Sequence, residues 1–527
     1  MKSQNSGELT RRTLFQVGAA AAAGLSATGK ASAAALPTRG KGPNVYERIG
    51  VKPFINCTSS RTMNGGSAAV PEVAEAIYEA SFYHVNLQEL LGKACPYLAE
   101  LMGVPAVAVA SGAAGCLTSA TLAAMAGGDP EALQQLPSTD GLKDEVVCIG
   151  WARSIYDHAI RMTGAKMIEV HTPEDLAQAF GPKTFLAFSG HESHYPGSKL
   201  PLAQFIEAAH AHGVPVLIDA AAELPLLPDP YMEAGADMVA YSGGKSLKGP
   251  QSGGLLLCSR PELARAAFIG AAPHHTYARP MKVSKEEVMG LIAAVEDLVR
   301  TRDVKAEYAE YTRWFEHIIA RITQVDGVKA WVIPEPRPGY YPVMQVEWDQ
   351  SKIGLVAREV GEQLLDGEPR IMTHAYPKEL DPTSMETNNF LIRPMAMYAD
   401  EYRIVAERLY QVLRDAPGPK APPKLEKPAA DLSGRWEVTV TYVAREATHT
   451  LYLDQDGTAL RGLHKGRITE GDIQGTIAGS KVKFESRGKY EGADLRYYFE
   501  GELRGNTLSG RLGLGEYSEG TWSAKRA

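Results

Sequence analysis

Short apolar runs alternate with helical stretches through the middle of the chain. The predicted strands are residues 106–110, 145–149, 184–188, 214–218, 236–242 and 255–258. Continuous apolar strands, separated by stretches long enough for crossover helices, are typical of a mostly parallel sheet covered by helices on both faces. We therefore predict an α/β large domain over about residues 92–280.

The flanking regions have different patterns. Residues 45–91 predict a first helix, a short strand and a second helix that opens at Pro71, because proline is favoured in the first turn of a helix. Residues 285–415 open with a long amphipathic helix and then mix strands with helices. We expect these two regions to form a small domain, so that the catalytic region spans 45–415.

The C-terminal part of the chain is different in kind. Residues 416–431 are rich in proline, which is typical of a stiff linker. Residues 432–527 contain eight short alternating segments separated by glycine, aspartate or asparagine turns, a pattern that predicts an all-β, up-and-down barrel. A small-ligand or partner module and a packing or assembly role are both open for this domain.

Residues 1–33 have the pattern of a twin-arginine export signal. Arg11 and Arg12 precede an apolar run and an Ala-Ser-Ala sequence, and that run is too short for a stable membrane span. We therefore expect a protein that is exported by the twin-arginine route to a periplasmic or other extracytoplasmic location.

Composition argues against two classes of function. A net charge of −7 over 527 residues gives no reason to expect nucleic-acid binding. The five cysteines are scattered without metal spacing, and His191 and His194 lack a third ligand at metal spacing. No metal site is therefore predicted.

A lysine between two glycines and a small-residue loop is the strongest chemical feature. Lys245 follows a predicted strand almost directly, and its loop runs through Gly249 and Pro250 into the next strand. Ligand sites in α/β proteins lie at the carboxyl ends of strands, where partial burial lowers the pKa of a lysine and makes it nucleophilic. A solvated lysine in a glycine-rich turn is the alternative that this pattern alone leaves open.

Two other strand ends supply groups that pyridoxal phosphate requires. Asp219 ends the strand before that of Lys245, and a carboxylate there suits a cofactor whose ring nitrogen must stay protonated. Another strand runs into Ser111, Gly112 and Ala113 at the start of a helix, and a helix N-terminus binds phosphate. These three strand ends, in this order, predict a pyridoxal-phosphate site.

About residues 46–413 resemble the selenocysteine-synthase-like branch of the fold type I pyridoxal-phosphate enzymes, which have the aspartate-aminotransferase fold. The branch includes L-seryl-tRNA(Sec) selenium transferase and D-glucosaminate-6-phosphate ammonia-lyase. The motifs that carry the resemblance are residues 55–58, 64–67, 111–115, 156–161, 219–225, 242–251 and 279–287. The resemblance implies pyridoxal 5'-phosphate as the cofactor, a small-molecule amino acid substrate, and a homodimer or higher homo-oligomer.

The resemblance also implies roles for individual side chains. Lys245 would hold the cofactor as a Schiff base, and Asp219 would keep the ring nitrogen protonated. Tyr156 is favoured over Trp151 for stacking on the ring, and packing of both aromatic side chains in the core is the alternative. Arg279 lies in a loop that resembles the family loop reaching toward the neighbouring subunit's cofactor. The assigned cofactor-binding residues are Ser111, Gly112, Ala113, Ala221, Ser242, Lys245 and Arg279, and the assigned substrate-binding residues are Arg393, Arg61 and Asn64.

Several reactions are open to such a site. Once the substrate has displaced the lysine as an external aldimine, removal of its α-proton can lead to β-elimination, transamination or racemisation. Because the named family members work by β-elimination or β-replacement, we expect a β-eliminating ammonia-lyase. An aminotransferase or amino-acid racemase is the alternative, and a non-catalytic binding protein on this fold is a second one.

Overall fold

The computed structural model describes residues 44–190, 199–334, 339–373, 387–419, 421 and 425–527. The predicted export signal, His191 and His194 lie outside these residues, as does part of the predicted linker. In chain order, the strands of the catalytic region are β1 (Ile55–Asn56), β2 (Ala106–Ser111), β3 (Glu145–Ile149), β4 (Lys166–Val170), β5 (Thr184–Gly190), β6 (Val216–Asp219), β7 (Met238–Ser242), β8 (Gly253–Cys258), β9 (Val328–Ile333), β10 (Val343–Trp348), β11 (Ile371–Met372) and β12 (Asn389–Ile392).

The helices are grouped around these strands. In chain order they are α1 (Pro71–Ala80), α2 (Leu87–Met102), α3 (Gly112–Ala126), α4 (Pro130–Gln135), α5 (His158–Arg161), α6 (Pro173–Ala179), α7 (Leu202–Ala211), α8 (Pro230–Glu233), α9 (Pro261–Ile269), α10 (Lys285–Arg300), α11 (Val304–Ile322), α12 (Gln350–Ile353), α13 (Ala357–Asp366) and α14 (Glu401–Arg414). The first helix predicted after residue 45 is only a 3-10 turn, Glu47–Ile49.

A seven-stranded sheet in the order β2-β8-β7-β6-β5-β3-β4 forms the centre of the catalytic region. Strands β3 to β7 are parallel, and β8 is antiparallel to its neighbours β2 and β7. Alternate residues of a strand lie in two different cores, one on each face of the sheet. In β3, Val147 and Ile149 lie in one core, and Val146 and Cys148 lie in the other. This two-sided burial explains the unbroken apolar runs and confirms the predicted mostly parallel sheet.

The small domain has a core of its own. Strand β10 pairs antiparallel with β9 and β12, and β1 pairs parallel with β11. Trp314, Trp348 and Tyr311 are the largest fully buried aromatic residues of this third core.

The predicted assignment of residues 45–91 and of α10 to the small domain is wrong. Val73 of α1, Leu91 of α2 and Leu291 of α10 lie in one of the cores of the large sheet. These helices are amphipathic, and their apolar faces pack on each other and on the sheet. Of residues 45–91, only the segment around β1 therefore packs in the core of the small domain.

Residues 432–527 form a closed barrel, as predicted. Its strands are β13 (Gly434–Thr441), β14 (Glu446–Asp456), β15 (Ala459–Lys465), β16 (Glu470–Ala478), β17 (Lys481–Tyr490), β18 (Ala493–Arg504), β19 (Thr507–Gly513) and β20 (Glu519–Arg526). Each pairs antiparallel with the next, and β20 pairs with β13. Trp436, Phe484, Phe499 and Trp522 fill the interior, each at most 4% exposed. A small barrel filled by side chains is a packed core.

One end of the barrel interior is polar. The Nε2 atom of His464 lies 2.9 Å from Nδ1 of His449. The Nδ1 atom of His464 lies 3.1 Å from the hydroxyl oxygen of Ser486. Burial, with a smaller contribution from His449, lowers the pKa of His464 to about 3. The histidine pair is therefore neutral at ordinary pH, and we interpret it as a hydrogen-bonded part of the core.

The cysteines are free thiols in the fold. Cys57, Cys116, Cys148 and Cys258 are buried, and Cys95 is partly buried. Burial raises the pKa of all five thiols, to about 12 for Cys148 and about 11 for Cys95. Within the described residues, no helix combines the length and apolar character that crossing a membrane would require.

Candidate active site

Lys245 lies in the turn between β7 and β8, at the edge of the sheet where the parallel strands end. Its Nζ atom lies 5.5 Å from the centre of the Tyr156 ring. Burial lowers the pKa of Lys245, and the charges of Asp219 and Tyr340 oppose that shift. A lowered pKa increases the fraction of neutral amine, which is the form that reacts with a carbonyl group.

The second lysine of this turn, Lys248, is engaged in a buried ion pair. Its Nζ lies 2.6 Å from Glu307 Oε1, and Arg302 Nε lies 2.7 Å from Glu307 Oε2. Arg302 also donates to the carbonyl oxygen of Ser246 at 2.8 Å. Burial alone would raise the pKa of Glu307, but Lys248 and Arg302 lower it to about 2. The network anchors the turn and leaves Lys245 as the lysine that faces the pocket.

Gly66 lies where the segment at 61–67 meets the lysine turn, and Gly244 lies inside that turn. Ser67 Oγ donates to the carbonyl oxygen of Gly244 at 2.8 Å. A Cβ on Gly244 would lie 2.5 Å from Gln251 Cα, and one on Gly66 would lie 1.9 Å from Gln251 Oε1. Gly66 also has a positive φ of +79°. A side chain at 244 would therefore force the lysine turn itself open, and one at 66 would strain the backbone and displace the Gln251 side chain.

Asp219 ends β6, the strand next to β7. It is 8% exposed, and its Oδ1 accepts the Ala221 amide hydrogen at 3.0 Å. Burial raises the pKa of Asp219, and the Ala221 amide and the Lys245 charge oppose the shift. A buried carboxylate is stabilised by an adjacent cation, which a protonated pyridine nitrogen would provide. The residues present therefore fit the ring of pyridoxal phosphate.

The predicted phosphate turn joins β2 to α3. Gly112 has a φ of +63°, and its amide donates to the Ser252 carbonyl oxygen at 2.8 Å, so this N–H belongs to the sheet. Ser111 precedes the helix and Ala113 lies in its first turn. Because β2 runs parallel to β7, this helix N-terminus lies at the same edge as Lys245 and as Ser242, the last residue of β7. A phosphate is favoured at such a helix N-terminus.

One pocket of about 510 Å³ contains Lys245 and two arginines. Its volume is within the range of small-molecule sites. Its lining comes from the N-terminal segment, the lysine turn, the small domain and the barrel. The charged and aromatic lining residues are Arg61, Tyr156, Lys245, Tyr340, Tyr341, Arg393 and Glu516.

The structure brings some predicted site residues together and leaves others apart. Arg61, Tyr156 and Arg393 line the pocket with Lys245, whereas Trp151 and Arg279 are not among its lining residues. Asn64 is also absent from the lining. Its side chain donates to Thr58 Oγ1 at 2.7 Å, which ties its own segment together.

Sequence reasoning missed Tyr340, Tyr341 and Glu516. The two tyrosine rings are stacked with centroids 4.5 Å apart, and the Tyr341 hydroxyl contacts the Ser59 hydroxyl. Burial raises the pKa of Tyr341 well above its usual value. A Gly-Tyr-Tyr-Pro run at 339–342 is the only local sign of this aromatic wall.

The fold and these strand ends define a pyridoxal-phosphate-dependent enzyme of fold type I. The aminotransferase class-V family matches residues 156–363, a range that includes Tyr156, Asp219 and Lys245. This match and the relatives described below identify the chain as a pyridoxal-phosphate-dependent enzyme of the lyase or transferase type.

The chain is similar to curated enzymes over most of their length. It is 28% identical to D-glucosaminate-6-phosphate ammonia lyase of Salmonella typhimurium, over 69% of this chain and 98% of that protein. A solved structure of D-glucosaminate-6-phosphate ammonia-lyase matches with a TM-score of 0.60 at 26% identity, covering 71% of this chain and 99% of the other. The predicted resemblance to this branch is thus confirmed.

Two other relatives have different activities by name. The chain is 29% identical to 5'-C-glycyluridine monooxygenase-decarboxylase of a Streptomyces species, over 71% of this chain and 93% of that protein. It is 24% identical to L-seryl-tRNA(Sec) selenium transferase of Geotalea uraniireducens, over 49% of this chain and 61% of that protein.

Proposed function

We propose that the protein is a pyridoxal-phosphate-dependent ammonia-lyase that eliminates a β-hydroxyl group from an amino acid with a large polar side chain. The observation that supports this proposal most directly is the pocket in which Lys245 faces Arg61 and Arg393. An amine that moves protons and a pair of guanidinium groups that bind carboxylates are what α-proton removal from an amino acid requires.

Each side chain has one task in this proposal. The cofactor, when bound, withdraws electrons from the α-carbon and so makes its proton removable. Lys245 takes that proton and then protonates the leaving hydroxyl group. Asp219 keeps a proton on the ring nitrogen. Tyr156, whose ring centre lies 5.5 Å from Lys245 Nζ, would pack against the cofactor ring. Arg393 binds the substrate carboxylate and so orients the α-carbon–hydrogen bond.

The phosphate end of the cofactor has its own set of residues. We propose that the amide of Ala113 and the hydroxyls of Ser111 and Ser242 bind the phosphate. Gly112 contributes its backbone turn, since its own amide is bound to the sheet.

Elimination is favoured by the relatives and by the pocket. Two relatives are named for substrates in which the amino acid carries a large polar group, a phosphorylated glucosaminate and a glycyluridine. A pocket of about 510 Å³ accommodates a substrate larger than serine beside the cofactor. We therefore infer a polyhydroxylated amino acid as the substrate class.

We also propose a homodimer and export by the twin-arginine route. Tyr78, Phe82, Tyr83 and Val85 are each more than half exposed, and contiguous exposed apolar side chains mark protein–protein contacts. A second copy that covers this face could bring its Arg279 toward the pocket. The leader sequence at 1–33 supports the export proposal.

A product survey of the purified full-length holoenzyme tests the reaction. D- and L-serine, D- and L-threonine and D-glucosaminate are supplied, and ammonia, keto acid, enantiomer and oxygen uptake are measured separately. We expect ammonia and a keto acid in equal amounts without an added acceptor. The Lys245→Ala variant is the control for lysine-dependent turnover.

Other products would contradict an ammonia-lyase in distinct ways. A requirement for a keto-acid acceptor would indicate an aminotransferase. Inversion of the α-carbon configuration without release of ammonia would indicate a racemase. Oxygen uptake with release of carbon dioxide would indicate chemistry of the kind named for the Streptomyces relative. Absence of turnover with cofactor bound would favour a binding protein.

A further inference from the structure

We propose that the C-terminal barrel forms part of the active site and that Glu516 on the barrel selects substrates with a hydroxyl group remote from the α-carbon. This inference rests on the proposed function, because it concerns the substrate of the same pocket. It gives the barrel a role in substrate recognition at the mouth of the pocket.

Glu516 belongs to a turn between β19 and β20, yet it lines the pocket that contains Lys245. Among the described residues that line this pocket, Glu516 is the only carboxylate. The cationic lining residues Arg61, Lys245 and Arg393 come from the catalytic region. A substrate in this pocket therefore meets anion-binding groups from the catalytic region and an acceptor of hydrogen bonds from the barrel.

A buried arginine fixes the barrel to the catalytic region. The Arg153 side chain is only 6% exposed, and it forms ion pairs with Asp157 at 2.6 Å and Glu169 at 2.5 Å. Its remaining nitrogen pairs with Glu491, in the turn between β17 and β18, at 2.5 Å. The planar fork of the arginine pairs with three carboxylates, so this turn of the barrel is tied to the catalytic region.

The same barrel turn is packed tightly against the loop that carries Tyr156. A Cβ on Gly492 would lie 2.1 Å from the carbonyl oxygen of Ser154, so only glycine allows this approach. The Ser154 side chain accepts the Tyr156 amide hydrogen and caps the 3-10 turn Ile155–Asp157. The barrel therefore supports the segment that faces Lys245 as well as contributing Glu516.

The turn that carries Glu516 has a defined conformation. Gly515 and Ser518 have positive φ angles of 60° and 72°, and the Leu514 amide donates to the Ser518 carbonyl oxygen at 2.9 Å. Burial, followed by the charge and hydrogen bond of Glu516, raises the pKa of Tyr517. The side chains of Glu516 and Tyr517 therefore interact within this turn.

The barrel has few other ways to act on a small molecule. Its interior is filled by Trp436, Phe484, Phe499 and Trp522, so a ligand would have to bind outside the barrel. The Salmonella relative is matched over 98% of its own length by 69% of this chain, so that protein has little beyond the matched region. Through Glu516, the barrel therefore adds a carboxylate to the lining of the pocket in this chain.

The charges define the class of substrate. The carboxylate of an amino acid binds to Arg393 or Arg61, and a hydroxyl group several carbons away donates to Glu516. A substrate that is apolar beyond its β-carbon would remove water from the Glu516 carboxylate and offer it no hydrogen-bond donor in exchange, which is unfavourable.

The test compares two probes with the same six-carbon skeleton, D-glucosaminate and D-norleucine. The first carries hydroxyl groups along the chain, and the second carries none. Stopped-flow absorbance of the bound cofactor in the full-length holoenzyme gives the half-saturating concentration of each probe, independently of any product. Glu516→Gln removes the charge and keeps the shape, and Glu519→Gln is the matched control, since Glu519 pairs with Arg511 on the barrel surface.

We expect Glu516→Gln to raise the half-saturating concentration of D-glucosaminate about tenfold or more, the loss typical of a charge-assisted hydrogen bond, and to leave D-norleucine unchanged. Gly492→Ala should shift D-glucosaminate in the same direction by displacing the barrel. Gly92→Ala, in α2 with open space around the added methyl group and no positive φ, should not.

Three results would overturn the inference: a parent enzyme that binds the two probes equally, a parent that does not bind D-glucosaminate, or a Glu516→Gln enzyme that retains cofactor and binds both probes like the parent. A different result is a parent enzyme that binds the probes selectively and loses that selectivity in Glu516→Gln, yet catalyses no elimination. In that case the proposed reaction fails and the barrel's role in recognition stands.

Discussion

Replacing Glu307 by glutamine is the sharpest test of how the lysine turn is held. Glutamine keeps the size of the side chain but removes the negative charge between Lys248 and Arg302, whose side chains are 3% and 6% exposed. Two buried cations would then lack a counter-charge, and breaking a buried pair in this way costs about 3–5 kcal/mol.

The pKa of Glu307 gives a second measure of the same interaction. Lys248 and Arg302 lower it in the fold from 4.5 to about 2, against the effect of burial. A shift of that size corresponds to roughly 3 kcal/mol. Because the folded-state pKa is depressed, this stabilisation is fully present above pH 4.5 and is lost as the pH falls toward 2.

Urea unfolding of the parent and the Glu307→Gln variant, repeated from pH 7 downward, measures both quantities. We expect the variant to be less stable by about 3–5 kcal/mol at pH 7. The difference should shrink as the pH falls below 4.5. The absorbance of bound cofactor should also fall, since the turn around Lys245 loses its anchor.

The control is Glu89→Gln, which removes a carboxylate from an exposed pair with Lys93. Exposed pairs contribute about 0–1 kcal/mol, so this variant should unfold like the parent. A Glu307→Gln protein within 1 kcal/mol of the parent, with an unchanged pH dependence, would refute the claim that this network holds the lysine turn.

Three further predictions concern the cofactor, the substrate and the leader. Borohydride reduction of the holoenzyme should attach the cofactor to Lys245, and a peptide map that finds it on Lys248 would contradict the assigned roles. Arg393→Lys keeps the charge but loses the planar fork, so kcat/KM for amino acids should fall about ten- to a hundredfold, from a loss of about 1.5–3 kcal/mol. The matching decarboxylated amines should be little affected. If Arg393→Ala turns over amino acids as well as the parent does, another residue binds the substrate carboxylate. Exchanging Arg11 and Arg12 together for lysine should retain the precursor in the cytoplasm, as measured by fractionation, and normal export would mean that the leader has another function.

The elements of the large domain were predictable because each is encoded by its own neighbours. Buried parallel strands need continuous apolar runs, and the strand ends at Asp219 and Lys245 follow such runs directly. The barrel was predictable for a similar reason, since alternating segments and turn residues recur along residues 432–527.

Features that depend on packing between distant segments were not predictable. Glu307 and Arg302 are charged residues at the start of an amphipathic region, where most such residues are solvated, and only the fold brings them to Lys248. Glu516 reaches the pocket through the docking of a separate domain. The placement of residues 45–91 with the small domain failed for the same reason, because an amphipathic helix does not reveal which core it covers.

The state of the cysteines has a consequence for where this enzyme can work. A thiol attacks a disulfide as the thiolate, and burial raises the pKa of all five thiols, so little thiolate is present at neutral pH. Four of the five sulfur atoms are also shielded from oxidants by the surrounding core. The folded enzyme does not require a reducing environment to protect its cysteines, and it does not require an oxidising one to cross-link them. Its stability should therefore be independent of the redox potential of its compartment.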